Sequence, residues 1–489
     1  MDVFSYVPTH VKSEFVRTHD NASSPAIFRR WLPLVFMGVI ASRLPFLWTG
    51  YGADPDAWRV ARSGQHLWQT GMYEPSRFPG YPLHELISAP LVALGGAPLS
   101  NGATLGATLL LLIVWARFVN RDATHPKILI ASLAFTPLLW IHSAATMDYA
   151  WSLLFILLSL VSTQKGNIAI AGMWLGVAVG FRPPNVVACV PLIAFLNSNK
   201  RSPKEIARFS LVATVTALVA FLPPLLAYGP IGWLSQIKAQ IDEVKPAFID
   251  QLLFFGYRSV YAFGPAAVIA SLLIVLHKRH EIGHLIRSCE PVAFMSLAGL
   301  ISFLGLFLLF PLERGYLLPA LPFLLLLLDR VASRRMMIVF VLCLISFAVF
   351  NIDVIQHHGV RGTPGLNVRW GMVIEEWEKR KLLFERRKAL STYPFLMKSI
   401  VMTGAGDSFS FENHYVEPDT ARFWSTLSER TVRLKRVPDI HFTTLLTRSE
   451  LELVRSAGYT VYCPEHARAY IEFVTGYNLE DAEIIIVKP

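Results

Sequence analysis

Trp31-Leu-Pro-Leu-Val-Phe-Met-Gly-Val-Ile-Ala-Ser-Arg-Leu-Pro-Phe-Leu-Trp-Thr49-Gly-Tyr-Gly-Ala-Asp54-Pro-Asp56 is the stretch on which the reading of this chain turns. Residues 31–49 are apolar over about the length a helix needs to cross a hydrocarbon layer, and two carboxylates follow at once. Lys12, Arg17, Arg29 and Arg30 precede the run. Basic residues collect on the cytoplasmic side, so Asp54 and Asp56 are expected to emerge on the outer face.

Working outward, the apolar pattern recurs. Residues 82–94 are apolar but short, which suggests a segment dipping into the interface. Further spans are expected near 99–117, 127–143, 147–163, 168–181, 184–197, 207–228, 260–277, 291–310, 315–329 and 335–352, about eleven in all with the first. Composition agrees. Of 489 residues 53% are hydrophobic and 16% charged, with mean hydropathy +0.44. Soluble domains carry about 25% charged residues, so an ordinary soluble enzyme is excluded. Apolar runs near twenty residues, rather than alternating ten-residue strands, indicate helices and not a barrel. The fold class expected is a polytopic α-helical membrane protein with a small C-terminal α/β domain.

The net charge of +10 is unevenly placed. Residues 353–489 carry 18 basic and 18 acidic residues, leaving 27 basic against 17 acidic in residues 1–352. With the expected spans, 18 basic residues fall on the N-terminal side of the membrane and 8 on the other. The excess therefore marks cytoplasmic loops and not a nucleic-acid surface, and the tail is expected outside the cytoplasm. Three regions follow: a cytoplasmic segment 1–30, a membrane domain 31–352 with a catalytic outer loop 50–98, and a soluble α/β domain 353–489. In that tail a charged helix is expected over 370–390, strands near 399–403, 459–463 and 482–487, and helices over 449–456 and 465–475. The four cysteines are scattered and give neither a disulfide framework nor a zinc site.

Candidate chemistry lies at the outer junctions. Asp54 and Asp56 could be a general base and a second acid that orients it or binds a cation; equally, Asp-Pro is a helix-capping turn. Asp148, in Thr146-Met-Asp148, heads a later span. Arg182 stands before two prolines. Arg314 and Tyr316 stand in Pro311-Leu-Glu-Arg-Gly-Tyr-Leu-Leu-Pro-Ala-Leu-Pro322. An arginine at an interface can simply snorkel toward headgroups. Carboxylates beside arginines on one side are also what transfer from a phosphate leaving group requires, since arginine binds phosphate bidentately and stabilises departing charge.

These motifs, in this order, resemble the membrane-embedded GT-C glycosyltransferases that use polyprenyl-phosphate sugars, such as protein O-mannosyltransferases and lipid A aminoarabinose transferase. The resemblance covers about residues 31–330. It rests on Asp54 with Trp58, Gly71-Met-Tyr73, Pro79-Gly-Tyr-Pro-Leu83, Thr146-Met-Asp148, Arg182, and Arg314-Gly-Tyr316-Leu-Leu-Pro-Ala-Leu-Pro322 with one inserted Gly. The adjacent Asp-Glu pair usual in the family is Asp54-Pro-Asp56 here, so either aspartate could be the base, Asp54 being favoured by the spacing to Trp58.

The resemblance implies a single inverting displacement. An acceptor hydroxyl on a glycolipid, polysaccharide or protein loses its proton to the aspartate as it attacks the anomeric carbon. Polyprenyl phosphate leaves, held by Arg182 and by Arg314 with Tyr316. Trp58, Arg59, Tyr81, His84, Glu85, Asp148 and Arg258 are expected around the substrate cavity, and the outer segment 228–261 reads as a lid on length and polarity. A divalent cation at Asp54 and Asp56 is open; no other cofactor is implied. The partners expected are the lipid-linked sugar donor, the acceptor and membrane lipids. The outer segments hold no Asn-x-Ser/Thr, which favours a bacterial inner membrane with a periplasmic tail over the endoplasmic reticulum. Two other readings remain: a transporter or flippase, which would show repeats and broken helices, and a non-catalytic subunit of a glycan-assembly complex whose tail is the active or binding part; the Thr403-Gly-Ala-Gly-Asp407 turn there lacks the full glycine fingerprint and reads as a tight turn, and the tail is expected to guide or hold the acceptor.

Overall fold

The computed structural model describes residues 25–244, 248–311, 313–356, 363–392, 398–402, 439–443, 448–475, 478–479 and 484–487. The Thr403–Asp407 turn and the basic residues Lys12, Arg17 and Lys245 lie outside them.

The chain is mostly helical. Three helical segments are long and apolar enough to cross a membrane: Trp31–Trp48, Pro82–Asp122 and Pro291–Leu309. Two bent pairs raise the number to five: Pro203–Ala220 with Leu222–Lys238, at 87°, and Phe248–Phe263 with Pro265–His277, at 96°. Leu272, Leu273 and Leu276 are each more than half exposed, as are Ile301 and Leu342. Water would penalise such helix faces, and lipid would not.

The eleven uninterrupted spans expected from hydropathy are thus not what the backbone forms, and glycine and proline account for the difference. Residues 82–94 and 99–117 join in one helix, Pro82–Asp122, with non-helical geometry at Gly96 (φ 59°). Residues 127–143 divide into Pro126–Phe135 and Pro137–His142, because Thr136 before proline is extended (φ −61°, ψ 132°). The run 260–277 starts only at Pro265; Gly264, at φ 89°, turns the chain out of Phe248–Phe263. Helices Tyr149–Gln164 and Ile168–Phe181 are short and largely buried. Hydropathy registers apolar length and is blind to such breaks.

Beyond the last apolar helix, Arg334–Ser346, strand Phe350–Gln356 pairs antiparallel with Thr363–Trp370. The charged helix Met372–Thr392 follows. A four-stranded parallel sheet then runs in the order Asp439–Thr443, Lys398–Met402, Thr460–Pro464, Ile485–Val487. Helices Arg448–Ser456 and Glu465–Thr475 accompany it, and Ile400, Met402, Val454, Val461, Cys463 and Ile471 form a core separate from the helical one.

Candidate active site

The site is built on the start of helix Pro55–Thr70. Asp54 is its N-cap, extended (φ −78°, ψ 129°), with Oδ1 accepting from the Asp56 backbone N–H at 2.9 Å. Pro55 fills the first helical position, where no N–H is needed. Trp58, 2% exposed, donates Nε1–H to Gly52 O at 2.9 Å and meets the Tyr51 ring edge-on at 5.1 Å. The indole thereby pins residues 51–54. Thr146 N–H donates to Tyr51 O at 2.8 Å and ties the same loop to the junction that carries Asp148.

Four charges form a buried chain beside this loop. Asp56 pairs with Arg59 at 3.0 Å and with Arg77 at 2.7 Å. Arg77 reaches Asp148 at 2.9 Å, and Asp148 reaches Arg182 at 2.6 Å. Rings close over the guanidiniums: Arg77 lies 4.0 Å from the Tyr81 centroid, and Arg182 lies 3.8 Å from Tyr149 and 4.3 Å from Tyr316. Glu313 completes the group. It accepts from the Tyr149 hydroxyl and hydrogen-bonds Asp56. Burial pushes Glu313 above the ordinary carboxylate range, with the Asp56 charge acting the same way and the Arg77 and Arg182 guanidiniums opposing it. Gly315, the insertion in the Arg-Tyr run, is required here, since a methyl group would overlap the Tyr149 ring.

Loop 71–81 is shaped by Glu85. Its carboxylate accepts from Ser76 N (2.7 Å), Ser76 Oγ (2.6 Å), Tyr73 OH (2.5 Å) and Tyr81 N (3.2 Å). This folding directs Arg77 inward. Glu85 is fully buried, as is His84 against Phe181, so both hold the loop and helix together and neither faces the cavity.

The cavity has a volume of about 510 Å³, within the range of small-molecule sites. Asp54 lines one wall. Arg258, Arg314 and Glu313 line a second, with Arg258 and Arg314 close enough to repel each other. Asn351, Arg369, Glu375, Glu376 and Lys379 of the tail line a third. The tail wall is anchored. Ala53 N–H donates to Glu376 Oε1 at 3.3 Å, and Glu376 accepts from Arg380 Nε at 2.7 Å. Arg380, wholly buried, donates to Ala144 O at 2.7 Å and Phe46 O at 3.3 Å, while Trp377 packs edge-on against Phe46 at 5.3 Å.

The two neighbouring aspartates differ in acidity. Burial, then the charges of Glu313 and Asp56, push the Asp54 carboxyl up to about 7. Burial acts the same way on Asp56, but the guanidiniums of Arg77 and Arg59 and the hydrogen bond from Glu313 outweigh it and hold it below the ordinary range.

Of the residues expected from sequence, Asp54, Arg258 and Arg314 line the cavity. Asp56, Arg59, Asp148, Arg182, Tyr81 and Tyr316 lie in or around the buried charge chain, and Trp58 lies behind the base loop. Arg182, expected to hold the donor phosphate, is 2% exposed, pairs through Nη1 with Asp148 and is not among the residues lining the cavity. Both oxygens of Asp56 face guanidiniums, so Asp56 does not fit as a partner of Asp54 in holding a cation. Among the described residues no three His, Cys, Asp or Glu side chains gather as a metal-binding group. The segment 228–261 holds helices Leu222–Val244 and Phe248–Phe263; Trp233 Nε1 donates to Pro79 O at 2.7 Å, and Arg258 donates to Pro311 O at 2.6 Å. Sequence reading missed Arg77, Glu313, Glu376 and Arg380. The first two stand inside motifs already singled out, while the tail pair carried no local signal.

No protein-family model and no curated protein matches the chain. Among solved structures, the cryo-EM structure of the arabinosyltransferase EmbB from Mycobacterium smegmatis is similar at 14% identity and a TM-score of 0.38, over 63% of this chain. The match spans 31% of that neighbour's length.

Proposed function

We propose that the protein is a membrane glycosyltransferase that moves a sugar from a polyprenyl-phosphate donor to an acceptor hydroxyl on the outer face. The observation that carries this reading is one cavity lined by Asp54 together with Arg258 and Arg314. Asp54 is near neutrality in acidity, which suits a general base: it is ionised enough at physiological pH and basic enough to take a hydroxyl proton. Asp56 is too weak a base and is engaged by Arg59 and Arg77.

Arg258 and Arg314 bring two guanidinium charges to the same part of the cavity, which suits a departing phosphate. Their positions support giving them, rather than Arg182, the phosphate. The acceptor oxygen loses its proton to Asp54 and forms the new bond to the anomeric carbon. The bond to the phosphate oxygen breaks on the opposite side, giving inversion. Phosphate leaves as an anion, so no acid is needed for the leaving group.

The two sharply bent helix pairs are a feature a transporter would also show, and keep that reading as the alternative. The test is Asp54→Asn. Asparagine caps a helix as well as aspartate, so the fold is retained. Loss of a general base costs about 10²–10⁴-fold in rate. Glycoconjugates from cells carrying either form at equal membrane abundance are compared by mass spectrometry. Disappearance of one sugar mass from a defined product is the expected result, with Asp56→Asn milder wherever it folds. Unchanged products in both variants would leave the transporter reading ahead.

A further inference from the structure

The tail-side wall of the cavity is not used by the displacement just described, and its chemistry is specific. Asn351 and Arg369 are cross-strand partners in the hairpin that leads into helix Met372–Thr392, so they stand together at the cavity edge. Asn351 is 7% exposed and its Oδ1 finds no partner among the described residues. A buried amide oxygen left unsatisfied costs stability unless something donates to it. One helical turn on, Lys379 and Glu375 present an ammonium and a carboxylate 2.6 Å apart. The Tyr257 and Tyr261 rings, with centroids 4.5 Å apart, line the cavity between this wall and Arg258.

We infer that this tail-side wall is the acceptor subsite, and that the acceptor it takes is a carbohydrate rather than a protein side chain. The acceptor role rests on the transferase reading; the carbohydrate preference rests on the wall itself. A sugar ring offers adjacent hydroxyls, each able to donate and to accept, and flat faces of C–H groups. It is matched by planar or charged side chains of both kinds next to aromatic rings. Asn351 Oδ1 and Glu375 accept, Arg369 and Lys379 donate, and the tyrosine pair supplies the apolar face. The wall carries both signs of charge in nearly equal measure, so it selects neither an anion nor a cation. The amide oxygen of Asn351 in particular calls for a donor, which a sugar hydroxyl supplies. The clamp formed by Arg380 and Glu376 holds the wall fixed against Phe46, Ala53 and Ala144, which makes it a standing part of the cavity.

The test uses the full-length protein in detergent, tagged with a fluorophore. It is applied to an array of defined oligosaccharides with serine- and threonine-containing peptides on the same surface. Binding to a subset of the oligosaccharides and not to the peptides is expected. Asn351→Leu should weaken it tenfold or more. The double variant Glu375→Gln with Lys379→Gln, on the exposed face of the helix, should weaken it several-fold, and it carries the test if Asn351→Leu does not fold. Asp54→Asn should bind as the parent does, because the base is not part of the wall. Peptide binding without oligosaccharide binding, binding of neither, or oligosaccharide binding that survives the folded wall variants would each overturn the inference. Intact binding together with undiminished transfer in Asp54→Asn would instead overturn the choice of base and leave the carbohydrate subsite standing.

Discussion

Two groups of charged residues lie close together at the helix junctions, and they have opposite fates. Asp56, Arg77, Asp148 and Arg182 are joined end to end at 2.7, 2.9 and 2.6 Å, with Asp148 and Arg182 almost wholly excluded from solvent. Asp54 comes from the same loop as Asp56, and with Arg258 and Arg314 from later junctions it lines a cavity. Asp54 and Asp56 differ by only two positions. The first caps a helix with one oxygen and turns the rest of its carboxyl to the cavity; the second lies a half-turn on and is enclosed by guanidiniums. Ion pairing of the second group fixes the junctions relative to one another. It leaves the first group facing the cavity. An acid or arginine in a motif is thus no sign of chemistry until its partners are known.

The sharpest way to break this comparison is to remove the centre of the paired chain. Asp148→Ala removes the close partner of Arg182 and leaves Arg77 with Asp56 alone, and breaking a buried ion pair from one side costs about 3–5 kcal/mol. A large fall in the thermal unfolding midpoint of the solubilised protein is expected, with activity lost only because the fold is lost. A variant as stable as the parent but inactive would move Asp148 out of the scaffold and into the reaction.

Arg314→Gln is the converse. It removes a cation from the cavity wall, not from the buried chain, so the unfolding midpoint should stay within a degree or so of the parent. If Arg314 stabilises the departing phosphate, turnover falls by about a hundredfold, as when one preorganised donor to a developing charge is lost. Arg182→Gln should show the reverse pattern, a lower midpoint first. If the two variants were to exchange behaviours, the donor site would return to Arg182.

How much of this was legible in the sequence follows from how far each signal reaches. Asp54-Pro55 at the head of helix Pro55–Thr70 and the helix Glu465–Thr475 rest on neighbouring residues, and those are in the sequence. That Asp54 and Arg314 gather at one end of the helices was legible too, because charge bias puts their junctions on a common side. Span integrity was not, since one glycine at 96 or 264 redirects an apolar run that hydropathy scores as continuous. Pairing was not either. Arg77 meets Asp148 across 71 positions, and Glu376 meets Ala53 across 323. Nothing in the local pattern of either residue names its partner. The tail therefore read as a separate soluble unit, whereas its first helix closes the cavity next to the base.

The smallest effect is the one that separates the two aspartates most cleanly. A carboxylate base works only when ionised, so the rate falls tenfold for each pH unit below its own acidity. With Asp54 as base, held near 7 by burial and by the charges of Glu313 and Asp56, kcat/KM should climb through the slightly acidic range and level off around neutrality. With Asp56 as base the profile would already be flat there, because its guanidinium partners hold it below the ordinary range. Glu313→Gln refines the distinction. It removes a group whose charge raises Asp54, so the Asp54 midpoint should move to lower pH, while Asp56, to which the Gln amide can still donate, should not move with it. The direction of that shift, measured on the folded variant, identifies which carboxylate takes the proton even where the absolute rates of parent and variant are close.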